Sequence, residues 1–230
     1  MKRSARDRAN NQKETARDPQ HPLGRGRHTF DTYPAVTYAY SKTLNGMGYS
    51  IPLNVIDRLV RTSFNDLVEM LRQRFKLNPD LVHTKFAEPY LNIISPANQP
   101  PFPGAQEVCE FIHQNNGLNI IISHRNPESV HQLLEAHNFS SLVDGIYSPT
   151  QGWPEKPDPT MFLMAINKHS LNSCETLCIG DRECDILAGK MAGIRTCQFG
   201  KSTSSLVADF QINDYRSLLD FLEKKMKRQS

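Results

Sequence analysis

The apolar positions of this chain change their spacing near residue 104. From Tyr33 to about Leu44 they follow a helical period, with Pro34 in the first turn, where a missing N–H costs least. Over 54–76 the pattern continues through Val55, Ile56, Leu59 and Val60, then Leu67, Met70, Leu71 and Phe75, and predicts one amphipathic helix. A third helical stretch is expected over 79–93. Pro96, Pro100, Pro101 and Pro103, followed by Gly104, mark a boundary. Beyond it, short apolar runs alternate with helical ones. Helices are expected over 105–115, 127–137, 160–169 and 186–192, and strands over 118–122, 143–147, 176–179 and 195–199. An amphipathic helix over 215–227 closes the chain. Short strands separated by helices predict an α/β fold with a parallel, doubly wound sheet.

Composition changes this picture at one end only. The chain has 230 residues and a formal charge of +3. Residues 1–28 hold eight Lys/Arg against three Asp/Glu, while the remainder holds 19 against 21. The basic character belongs to a tail whose few apolar residues cannot bury enough surface to offset ordering, so disorder is expected there. That tail has no aromatic residue for base stacking, and nucleic acid is not an expected partner. Five cysteines without a C-x-x-C pair argue for reduced thiols, against disulfides or zinc, and for a cytoplasmic protein. No apolar run is long enough to span a membrane, and no secretory signal is apparent.

Candidate chemistry falls at the ends of predicted strands. The apolar run 176–179 stops at Gly180, and Asp181 and Asp185 follow with three residues between them. Carboxylates at the carboxyl edge of a sheet suit a hard cation such as Mg²⁺. Acids also gather at helix N-termini for dipole reasons alone. Ser123 ends the strand 118–122, ahead of His124 and Arg125. It is either a plain N-cap or, with backbone N–H groups, a phosphate ligand. Lys156, in Glu155-Lys156-Pro157-Asp158-Pro159, is either a solvated loop lysine or a fixed charge facing phosphate and carboxylates.

In this order the residues resemble the haloacid dehalogenase-like superfamily of hydrolases, and its phosphoglycolate phosphatase branch in particular. The likeness rests on Ser123 after an apolar strand, Lys156 in Lys-Pro-Asp-Pro, and Gly180-Asp181-x-x-x-Asp185 followed by Ala188-Gly189 and Ala192-Gly193. It implies a Rossmann-like core over 29–44 and 101–225, a small helical cap over 45–100, and tails at 1–28 and 226–230. It further implies Mg²⁺-dependent hydrolysis of a small phosphorylated metabolite through an aspartyl-phosphate. Ser123, His124, Arg125 and Lys156 would bind the phosphate, and Asp181 and Asp185 would hold Mg²⁺.

One part of the pattern is missing. The family opens with an apolar strand running into Asp-x-Asp-Gly-Thr-Leu, ahead of a segment like Phe30-Asp31-Thr32. Here the preceding residues are Gly24-Arg25-Gly26-Arg27-His28-Thr29, so Gly24 and Gly26 stand where the nucleophile and the acid–base aspartate belong. The strand before them is also absent, which is expected to leave its two neighbours without ladder partners. A single lost base accounts for both absences. Read one base later, codons for 21–29 can spell Ile-Leu-Trp-Asp-x-Asp-Gly-Thr-Leu and rejoin Phe30. The sequence therefore predicts a chain that is inactive as written, and the alternative is a non-catalytic phosphate-binding pseudoenzyme.

Overall fold

A computed structural model describes residues 29–62, 64–78, 95–201 and 207–227. The basic tail 1–28 and the helix expected over 79–93 lie outside these residues.

Three helices open the fold: α1 (Tyr33–Gly46), α2 (Leu53–Thr62) and α3 (Phe64–Phe75). The expected single helix over 54–76 is two. The three helices bury Val36, Ala39, Tyr40, Leu44, Ile56, Val60, Leu67 and Leu71 in a cluster of their own.

The remainder alternates: α4 (Ala105–Gln114), β1 (Ile120–Ile122), α5 (Pro127–Ala136), β2 (Gly145–Tyr147), α6 (Thr160–Lys168), β3 (Leu177–Gly180), α7 (Glu183–Met191), β4 (Arg195–Phe199), β5 (Phe210–Ile212) and α8 (Tyr215–Met226). The α/β class read from the sequence is the observed one. β5 was not anticipated, because Phe-Gln-Ile is too short to show a period. Helix α7 begins three residues earlier than expected, since its first turn (Glu183, Cys184, Asp185) carries no apolar signal.

All strand pairs are parallel, as crossover helices require. Side chains alternate between two helical layers. Ile121, Leu177 and Ile179 pack with α4, α5 and α8 around Val108, Leu133, Leu134 and Leu218. On the other face Cys178 and Ile122 pack with Phe162 of α6 and Ala188 of α7, and Ile120 and Ile122 also pack against Met161 and Ala165 of α6.

Among the described residues the sheet comes in two pieces, β1-β2 and β3-β4-β5. Both pieces share the same helical layers, yet no ladder joins β1 to β3. The N–H of Ser123 donates to the carbonyl of Tyr147 (2.9 Å), and the carbonyl of Asn119 accepts from Asp144. Successive residues of a strand point their backbone groups to opposite sides. Ile120 and Ile122 therefore turn theirs away from β2, toward β3. From the sequence the family's first strand is expected to be absent, and the residues at issue, those before Thr29, lie outside the described ones. Asp31 N–H donates to the Pro100 carbonyl (2.8 Å), Phe102 N–H donates to the Thr29 carbonyl (2.9 Å), and Phe30 is buried edge-on against Phe139. No helix among the described residues is long and apolar enough to cross a membrane, and all five cysteines are free thiols.

Candidate functional site

The carboxyl ends of β1 and β3 bring together Ser123, His124, Lys156, Asp181 and Asp185. Lys156 joins the two sheet pieces. Its ammonium donates to the Ile122 carbonyl at the end of β1 (2.9 Å) and lies 2.6 Å from Asp185 Oδ1 in the first turn of α7. Both side chains are almost fully buried, at 2% and 1% exposure. Burial alone would pull the lysine down, but the Asp185 carboxylate more than offsets it, and the ammonium is held above its ordinary range. An ammonium has three donors. The described residues engage two of them. The loop-lysine alternative is therefore not the observed arrangement.

Asp185 serves both readings weighed from the sequence. It sits in the first turn of a helix, where its Oδ2 accepts the N–H of Arg182 (3.3 Å), and it also faces the lysine. Gly180 makes this closeness feasible, because a Cβ there would lie 2.4 Å from Asp185 Cβ. Asp181 accepts a hydrogen bond from the Tyr33 hydroxyl on Oδ2 (2.7 Å), and its carbonyl accepts from Gln198 Nε2 (3.0 Å). The Tyr33 ring in turn lies under the guanidinium of Arg61, 4.1 Å from its centroid, and Asp57 holds that guanidinium at 2.7 Å. A path of contacts thus runs from α2 to Asp181.

Ser123 is fully buried, and its Oγ accepts the Arg125 N–H (2.9 Å). Among the described residues the hydroxyl hydrogen meets no acceptor. Arg125 is 7% exposed and donates through Nη2 to Gln99 Oε1 (2.7 Å). His124 accepts the backbone N–H of Lys156 on Nε2 (3.0 Å). Burial, and then the Lys156 charge, push this imidazole down to about 4, against a smaller opposing pull from Asp185. Tyr33, Gln99 and Gln198 were not singled out in the sequence. Tyr33 lies 148 residues from the aspartate it touches, and no spacing signals such a contact. Gly24 and Gly26 lie outside the described residues.

Asp181 and Asp185 offer hard oxygen donors. No group of three or more acidic, His or Cys side chains forms a metal cluster among the described residues. Two carboxylates nonetheless suit Mg²⁺, which keeps several waters and takes further oxygens from a bound phosphate. The donor set fits the ion.

The chain is thus an α/β protein with a buried lysine–aspartate pair at the carboxyl ends of parallel strands. Residues 29–199 match the haloacid dehalogenase-like hydrolase family, and the chain belongs to it. A phosphoglycolate phosphatase of Photobacterium profundum is 32% identical over 133 residues, covering 53% of this chain and 56% of its own length. One from Vibrio parahaemolyticus is 23% identical over 82% of both chains. A pyrophosphatase PpaX of Halalkalibacterium halodurans is 27% identical over 75% of this chain and 73% of its own. Among solved structures, a hydrolase of this family from Deinococcus radiodurans, with bound phosphate and sodium, superposes with a TM-score of 0.70 at 17% identity. It covers 85% of this chain and 91% of its own.

Proposed function

We propose that this chain carries the phosphate- and Mg²⁺-binding half of a phosphomonoester hydrolase site, and that as written it binds a small phosphomonoester without cleaving it. The observation that carries the reading is the buried Lys156–Asp185 pair at the junction of β1 and β3. The Ser123 hydroxyl and the Lys156 ammonium would each donate to a phosphate oxygen, and the Arg125 charge would add a fixed positive field. Asp181 and Asp185 would hold Mg²⁺, which neutralises phosphate charge when bound. Phosphatases among the relatives support the substrate class. Helices in the 45–100 segment would form the cap that selects the substrate. With Gly24 and Gly26 at the places of the two catalytic aspartates, no carboxylate is supplied to attack phosphorus.

Calorimetry with orthophosphate in the presence of Mg²⁺ tests the reading. Binding is expected in the parent chain and its loss in Lys156→Ala. Mg²⁺ should raise the melting temperature of the parent and leave the Asp181→Asn, Asp185→Asn double variant unmoved. Turnover of an aryl phosphate by the parent chain, lost in Lys156→Ala, would show a nucleophile outside this account.

A further inference from the structure

The contacts of His124 do not suit the substrate-binding role that its place beside Ser123 suggests. Its Nε2 already accepts the Lys156 N–H at 3.0 Å. A ring nitrogen that accepts an N–H carries no hydrogen, so a neutral ring must hold its proton on Nδ1. The surroundings keep it neutral: the ring is largely buried and the Lys156 ammonium is close, with only Asp185 favouring a second proton. The same lysine is tied at its other end to the Ile122 carbonyl, 2.9 Å from Nζ. Both anchors, at 122 and 124, belong to the tip of β1. One strand end therefore grips Lys156 by its backbone and by its head, and Asp185 completes the hold from α7.

We propose that His124 is the positioning residue of Lys156: its neutral, Nδ1-protonated imidazole holds the lysine backbone so that the ammonium faces the anion. The assignment rests on Lys156 being the anion-binding group, as read above. Without the acceptor, the Lys156 N–H loses its partner and the 155–157 loop is free to lift from β1. Displacements of about 1 Å at such a group weaken what it binds.

The test uses the full chain with sulfate as the probe at neutral pH. His124→Leu keeps the bulk without the acceptor and should weaken sulfate about tenfold, the cost of one lost hydrogen bond and its consequences. His124→Gln, which supplies a carbonyl acceptor, should stay within about threefold of the parent. Nitrogen-15 spectra of the parent chain, with the His124 signal identified by its absence in His124→Gln, should show the hydrogen on Nδ1. The opposite tautomer overturns the assignment without any variant having to fold. Equal losses in His124→Leu and His124→Gln also overturn it, because they would place the ring itself on the anion. Undiminished sulfate binding in His124→Leu, with Lys156→Ala having lost it, overturns the assignment alone. Undiminished binding in Lys156→Ala overturns the anion site and the assignment with it.

Discussion

Lys156 and Asp185 are each tolerable in the interior only because of the other. Removing one partner of a buried ion pair leaves an uncompensated charge, and such changes cost about 3–5 kcal/mol. Lys156→Met is therefore expected to lower stability by about that amount in denaturant melts, and Lys156→Met with Asp185→Leu should recover most of it. His124 adds a pH dependence of definite sign. Its imidazole titrates near 6.5 when exposed and is pushed down to about 4 in the fold. The neutral ring is the folded form, so this group's contribution is complete above about pH 6.5 and is lost as pH falls toward 4. At about 1.4 kcal/mol per unit the whole effect is about 3 kcal/mol. The parent should lose more stability than His124→Gln between pH 6.5 and 4. Equal pH slopes in the two proteins would mean that the ring is not held neutral.

At the scale of elements, what the sequence disclosed depended on length and period. Helices α1, α4, α5, α6 and α8 and strand β4 lie within a few residues of expectation, and for the helices the reason is an apolar stripe at helical spacing. β5 was missed for brevity, and the break between α2 and α3 for want of a glycine or proline. The strand-end residues Ser123, Lys156, Asp181 and Asp185 were legible because motif and strand end coincide. The contacts of Asp181 with Tyr33 and Gln198, and that of Arg125 with Gln99, were not, since burial of a lone polar side chain leaves no periodic trace. The residues of the strand expected to be absent lie outside the described ones, among which the sheet divides between β1 and β3. Replacing residues 21–29 with Ile-Leu-Trp-Asp-Val-Asp-Gly-Thr-Leu should supply that strand together with two aspartates. The repaired chain is expected to melt at a higher temperature and to hydrolyse an aryl phosphate with Mg²⁺. Deleting the nucleophile of a concerted site typically removes a factor of about 10⁴ to 10⁶ in rate, so the gain over the parent should be large. Genomic DNA around codons 20–31 that shows no lost base would instead favour a true pseudoenzyme.

At the scale of the whole molecule, the sheet that is divided among the described residues turns one strand into two populations of amide protons. The Ile121 N–H faces β2 within a parallel ladder, whereas those of Ile120 and Ile122 face the break. Amide hydrogen exchange reports the free energy of opening each bond, and an amide without a ladder partner needs no opening to exchange. Ile121 should therefore exchange at least tenfold more slowly than the isoleucines on either side of it, a sawtooth along three consecutive residues of one type. Filling the break with the repaired strand should slow Ile120 and Ile122 while leaving Ile121 nearly as it was. Uniform protection of all three in the parent chain would mean that something already lies between β1 and β3. The exchange pattern of three isoleucines thus reads out, without any assay of turnover, whether this protein has a whole sheet.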